Sequence, residues 1–225
     1  MIKTDRYTTF LYIGASMKLY CLGDSLTFGF GVSRNMRWTT LVQQESGWQL
    51  VNRGINGDTT GGMLSRLGPE VLEPICADPA GRLESRVLLM GGSNDVFFGG
   101  TDAAARANMA AMCQRLMGEG LAPYVGISLP VDWQNAPRQW AEVVDFKKAA
   151  ELMQGYCAWL RRFCDAFRLP VIDFARDFTN PDGSAVSQRF HDGLHPDAQG
   201  HRLMADRLLA TLNATPVGGI SRREA

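Results

Sequence analysis

Short apolar runs alternate along the chain with longer stretches of helical period. Lys18–Leu22, Gln49–Arg53, Arg86–Gly91, Pro123–Ser128 and Leu169–Phe174 are bounded by Gly or Asp and read as buried parallel strands. Between them the spacing predicts helices near 38–46, 60–73, 102–117 and 143–166, with a last one near 198–212. In the fourth helix Leu152, Met153, Tyr156, Cys157, Leu160, Phe163, Cys164 and Phe167 recur at helical spacing and form a core-facing stripe. Gly118 and Gly120 punctuate the end of the third. Parallel strands need crossover connections, so this alternation predicts an α/β fold with a doubly wound parallel sheet. One domain is expected over 17–214. Residues 1–16 read as an extension preceding a natural start at Met17, and 215–225 as a flexible tail.

Ligands in open α/β sheets bind beyond the carboxyl ends of the strands. The polar motifs fall there: Gly23–Thr27 after the first strand, Gly54–Thr60 after the second, Gly92–Asp95 after the third and Asp192–His195 after the fifth. Ser25, just past a strand and beside a glycine, is a candidate nucleophile, although Gly-Asp-Ser is also ordinary turn and cap chemistry. A serine needs a base, and the base needs a partner that fixes its tautomer. His195, three residues after Asp192, fits that pair; a loop histidine bonded to backbone is the plainer alternative. Gly57 and Asn94 are placed to meet a developing oxyanion, Gly57 through a closely approaching backbone and Asn94 through its amide. Either one alone also fits a loop position. The segment from Pro130 to Trp140 should border the site. Its Trp133 and Trp140 are candidate walls of an acyl pocket and Arg138 a candidate contact for an acidic leaving group, or all three belong to a surface loop packed on the domain. Asp24 is a further candidate binding residue, and Phe28, Phe30, Phe97 and Phe98 are candidates to line an apolar groove.

Composition narrows the function classes. The 225 residues carry equal numbers of cations and anions, with 45% hydrophobic and 20% charged positions, so no basic surplus points to nucleic acid. Five scattered cysteines form neither a disulfide framework nor a CxxC zinc motif, and Cys157 and Cys164 read as buried packing thiols. His191 and His195 stand four apart, but Gly193 and Pro196 oppose the helix that a metal-binding pair would need. His201 falls on the last helix in a packing or surface role. No apolar run approaches the roughly 20 residues of a membrane span, and Phe10–Ala15 is short for a signal-peptide core. A cytoplasmic protein without integral membrane association is expected.

Together the motifs resemble the SGNH/GDSL hydrolase family, whose four blocks carry Ser, Gly, Asn and His. Gly23-Asp24-Ser25-Leu26 matches the first block and Asn52 through Thr59 resembles the second. Gly92-Ser93-Asn94-Asp95 matches the third and Asp192-Gly193-Leu194-His195-Pro196 the fourth. The blocks run in the family order over residues 23–196, most of the domain. The likeness is greatest to the bacterial thioesterase/lysophospholipase branch, through Gly57-Asp58-Thr59 and Leu129-Pro130. The resemblance implies a flavodoxin-like three-layer sandwich with five parallel strands and helices on both faces, and no metal or organic cofactor. It implies catalysis by Ser25, His195 and Asp192, with the Ser25 N–H, the Gly57 N–H and the Asn94 side chain as oxyanion hole. The expected substrate is a small acyl ester, with thioesters or lysophospholipids as variants. An acyltransferase on the same site and a non-catalytic binding module stay open, and oligomeric state is not readable.

Overall fold

The computed structural model describes residues 17–214. The expected extension at 1–16 and tail at 215–225 lie outside the described residues. Five strands, β1 (Lys18–Gly23), β2 (Gln49–Gly54), β3 (Ser85–Met90), β4 (Tyr124–Ile127) and β5 (Val171–Asp173), form one all-parallel sheet in the order β2-β1-β3-β4-β5. The helices are α1 (Ser25–Phe28), α2 (Trp38–Glu45), α3 (Thr60–Leu67), α4 (Glu73–Ala77), α5 (Gly81–Glu84), α6 (Ser93–Gly99), α7 (Ala103–Gly118), α8 (Phe146–Phe167) and α9 (Ala198–Ala214).

Side chains alternate across the central strands, as the two-residue period of a strand requires. Tyr20 and Leu22 of β1 and Val87 and Leu89 of β3 enter one core with Met63 and Leu67 of α3, Met109 and Met112 of α7, and Met153, Tyr156 and Leu160 of α8. Leu19, Cys21, Leu88 and Met90 enter the other with Trp38 and Val42 of α2 and Met204, Ala205 and Leu208 of α9. These are the three layers expected. Among the described residues no helix is long and apolar enough to cross a membrane.

Several boundaries differ from the sequence expectation. Strand β4 begins at Tyr124 rather than Pro123, whose ring nitrogen has no hydrogen to donate to a ladder. Strand β5 spans Val171–Asp173, because Phe174 already opens a 3₁₀ helix that runs to Phe178. Helix α8 starts at Phe146, where the Asp145 carboxylate caps it by accepting from the Lys148 N–H at 3.0 Å. The stretch expected as one helix over 60–73 is α3 followed by a π-helical turn, Gly68–Leu72, and then α4. Pro69 lacks the N–H that would bond back to Ser65, which opens the helix there. The short helices α1, α5 and α6 fall below the length that periodicity can reveal.

The strand order matters for function. The chain passes from β1 outward to β2 and returns to β3 on the other side of β1. The crevice of this sheet type lies where the order reverses, between the carboxyl ends of β1 and β3. Ser25 follows β1 and Asn94 follows β3, so the two face each other across it.

Candidate active site

Ser25 is the first residue of α1, and Asp24 caps that helix by accepting from the Leu26 N–H at 2.9 Å. A hydrogen-bonded chain runs from it. The Ser25 Oγ lies 2.9 Å from His195 Nε2, and His195 Nδ1 lies 2.9 Å from Asp192 Oδ2. With Asp192 as acceptor the imidazole proton sits on Nδ1, which leaves Nε2 to accept from the Ser25 hydroxyl. The other Asp192 oxygen accepts from the backbone N–H groups of Leu194 at 3.0 Å and His195 at 2.8 Å. Burial raises the Asp192 pKa, but the hydrogen bond and charge of His195 and these two N–H groups outweigh it and bring the carboxyl down to about 2. Asp192 is therefore ionised throughout the neutral range.

The loop that holds this pair is bolted at both ends. The His191 N–H donates to the His195 carbonyl at 2.7 Å. Gly193, with φ at +80°, has a left-handed backbone, and a Cβ there would meet Asp132 and Asn135 backbone atoms at 2.7 Å. Its carbonyl accepts from the Asp132 N–H at 2.9 Å, which docks the segment after β4 onto the segment carrying His195.

Asn94, on α6 and 5% exposed, donates from Nδ2 to the Asp58 carbonyl at 2.8 Å, which aims its amide at the crevice. Gly57 lines the same crevice with φ at +76°. The neighbouring Asp95 carboxylate accepts from the Thr60 N–H at 2.9 Å and its hydroxyl at 2.6 Å, fixing the start of α3. The Ser25 N–H belongs to a first helical turn, where N–H groups have no intrahelical acceptor.

These residues border a cavity of about 340 Å³ walled by Leu26, Phe30, Phe97, Phe98, Trp140 and Leu194. Asp24 also lines it, almost wholly buried, and burial pushes its carboxyl up to about 7. Trp140 reaches the cavity and packs on Phe98, with ring centroids 5.9 Å apart. Trp133 and Arg138 do not line it. Trp133 faces a neighbouring polar cleft on the far side of Pro130 and Val131, beneath the Lys147 ammonium, and Arg138 faces an outer groove. The reason is the Gly193–Asp132 contact, which turns residues 132–138 away from the crevice and returns the chain only at Trp140. Phe28 is likewise outside the cavity, under the Arg37 guanidinium at 4.1 Å from its ring centroid.

The motifs do not reveal Arg66. It is 9% exposed and holds four partners. Its guanidinium donates to the Gly23 carbonyl and the Arg53 carbonyl at 2.8 Å each, to Asp58 at 2.8 Å and to Glu70 at 2.9 Å. It thus ties the ends of β1 and β2 to the residue whose carbonyl orients Asn94. In sequence only the Arg66–Glu70 spacing is visible, and that spacing belongs equally to any exposed helical ion pair.

Burial pushes the Cys113 and Cys157 thiols up to about 12, which keeps both protonated. Among the described residues no group of three or more His, Cys, Asp or Glu side chains is gathered to hold a metal.

His201 on α9 is fully buried, accepts from the Trp38 N–H at 3.4 Å, and is pushed down to about 4 by burial, partly offset by the Phe30 carbonyl. The unfolded chain, with an ordinary histidine near 6.5, binds a proton more readily between those values. Stability from His201 is therefore full above about pH 6.5 and lost as pH falls toward 4, by about 3 kcal/mol. Asp24 works oppositely, since its raised pKa favours the folded state at low pH and loses that advantage as pH rises through about 7. The difference between wild type and His201→Gln isolates the histidine. Urea unfolding should show wild-type stability falling relative to that variant between pH 7 and 4.5; parallel curves would refute the assignment.

The chain is thus an α/β protein whose parallel β2-β1-β3-β4-β5 sheet carries a serine, a histidine and a carboxylate joined at its carboxyl edge. The family of GDSL-like lipases/acylhydrolases matches residues 21–203, and the chain belongs to it. It is 30% identical over 125 residues to esterase TesA of Pseudomonas aeruginosa, a match covering 53% of this chain and 58% of that protein. It is 32% identical over 111 residues to an arylesterase of Vibrio mimicus, covering 47% and 52%. The chain spans just over half the length of these curated relatives. Among solved structures, a G-D-S-L lipolytic-family protein of Veillonella parvula superposes with TM-score 0.72 at 21% identity, covering 89% of this chain and all of that one. The aryl esterase of M. smegmatis superposes with TM-score 0.71 at 16% identity, covering 88% and 99%. Both share the fold.

Proposed function

We propose that this protein is a serine esterase that cleaves small carboxylic esters through an acyl-enzyme. The observation that carries the reading is the unbroken chain Ser25–His195–Asp192, with 2.9 Å at each link, opening into the apolar cavity. In the forward half, His195 Nε2 takes the Ser25 hydroxyl proton as Oγ attacks the acyl carbon. Asp192 stabilises the imidazolium and holds its orientation. The carbonyl oxygen becomes an oxyanion, met by the N–H groups of Ser25 and Gly57 and by the Asn94 amide. The tetrahedral centre collapses, the C–O bond to the leaving group breaks, and His195 returns the proton to the departing oxygen. Water repeats the sequence on the acyl-enzyme and restores Ser25.

The cavity suits a short acyl or aryl group. Its walls are aromatic and aliphatic, and no Lys or Arg lines it, so an acidic leaving group finds no fixed cation there. Thioesters enter the same mechanism, since attack is on the carbonyl carbon in both. Hydrolysis of p-nitrophenyl esters from acetate to octanoate tests the reading. Turnover should be highest for the short chains and fall as the acyl group outgrows the cavity; none across the series would overturn it. The oxyanion role is tested separately. Asn94→Ala should lower kcat by about 10²–10³ with little change in KM, as loss of one preorganised donor does. An unchanged kcat would remove Asn94 from the mechanism.

A further inference from the structure

We infer that Phe30 is a positioning residue that keeps the nucleophile and the base in register, an inference that rests on the hydrolase reading above. Phe30 stands between Gly29 and Gly31, whose φ angles of +85° and +87° are both left-handed, so the chain turns sharply twice around it. Three parts of the residue have separate partners. Its N–H donates to the carbonyl of Ser25 at 3.1 Å. Its carbonyl lies near the buried His201, without a hydrogen bond to its Nε2. Its ring lies on the imidazole of His195, centroids 4.5 Å apart and planes tilted 48°. The adjoining Gly31 lies against His191, whose Cδ2 would be 3.6 Å from a Cβ added there. All three histidines of the chain therefore pack around this two-residue turn.

Core packing does not explain the ring. Phe30 remains 41% exposed, whereas the phenylalanines of the core are nearly covered. What the ring does cover is a face of His195. The two hydrogen bonds of that imidazole lie in its plane, at Nδ1 and Nε2, and leave it free to tip out of plane. A ring against the face blocks that tipping and keeps water from that face, leaving the in-plane approach to Nε2 open. The ring's π-face also attracts the imidazolium that forms when Ser25 is deprotonated. Because the Phe30 backbone is bonded to the nucleophile's own residue, a displacement of Ser25 carries the ring with it. The turn thus couples two catalytic groups that are 170 positions apart in sequence.

Phe30 also lines the cavity, so the test must separate a wall from a positioning role. Phe30→Leu keeps an apolar wall but removes the flat face; Phe30→Tyr restores it. With p-nitrophenyl acetate, whose acyl group is too small to need the wall, Phe30→Leu should lower kcat about 10- to 100-fold with KM nearly unchanged, the size expected for a misplaced catalytic group. Phe30→Tyr should recover most of the loss. A raised KM with unchanged kcat would make Phe30 a pocket wall only and overturn the inference. An independent readout needs no turnover: the downfield proton resonance of the His195 Nδ1–H, assigned by its loss in His195→Gln. It should broaden through water exchange in Phe30→Leu and return in Phe30→Tyr. An equally sharp resonance in Phe30→Leu would overturn the inference even if the enzyme were inactive on every ester, an outcome that would separately sink the hydrolase reading.

Discussion

Ser25→Ala is expected to remove ester hydrolysis almost completely, by a factor on the order of 10⁶ in kcat, while the fold stays intact. The size follows from the mechanism. Without Oγ there is no acyl-enzyme, and His195 has no proton to take. What remains is the oxyanion hole and substrate binding, which act on a water that nothing positions. The fold should survive because Ser25 holds α1 through its backbone, whereas the cap belongs to Asp24 and the core contact to Leu26. Circular dichroism and a thermal melt would confirm the fold beside the ester assay. Equal turnover in wild type and variant would mean that the hydrolysis is adventitious and that Ser25 is not the nucleophile.

The second large effect is expected at Arg66, and it should appear in stability as well as rate. Arg66→Met keeps the length of the side chain and removes the charge. It leaves the largely covered Asp58 carboxylate without its cation and two strand-end carbonyls without their donor. Breaking one side of a buried ion pair costs about 3–5 kcal/mol, a large share of the stability of a domain this size. Urea unfolding should show the loss directly. Activity should fall too, because Gly23 precedes the Ser25 segment and Asp58 orients Asn94. Arg66→Lys should recover little, since an ammonium cannot reach four acceptors in the directions a guanidinium does. An unfolding free energy within about 0.5 kcal/mol of wild type in Arg66→Met would show that Arg66 does not carry the rim.

The alternation of short apolar runs and amphipathic stretches was enough to predict the strands, the long helices and the parallel sheet, because parallel strands require crossovers and buried strands require apolar runs. The ordered polar segments after the strands also pointed to Ser25, Gly57, Asn94, Asp192 and His195. Local chemistry shows that much: a serine after a strand, an aspartate three residues before a histidine, glycines at turns. Strand ends were less legible. Pro123 and Phe174 look apolar enough to extend a strand, yet the first cannot donate to a ladder and the second turns into a 3₁₀ helix.

The tertiary structure decided what depends on contacts between distant segments. It set β1 beside β3, and so Ser25 opposite Asn94. It buried Arg66, which by sequence spacing is an ordinary helix pair with Glu70. It sent Trp133 and Arg138 outward and Trp140 inward, because docking of Asp132 on Gly193 sets the direction of that loop. It also brought Phe30 onto His195 from across the chain. Residue types and their local spacing determine which elements can form and which groups can react. Which groups meet is determined by packing, where long-range hydrogen bonds and shared burial select one arrangement among many that the same local pattern would allow.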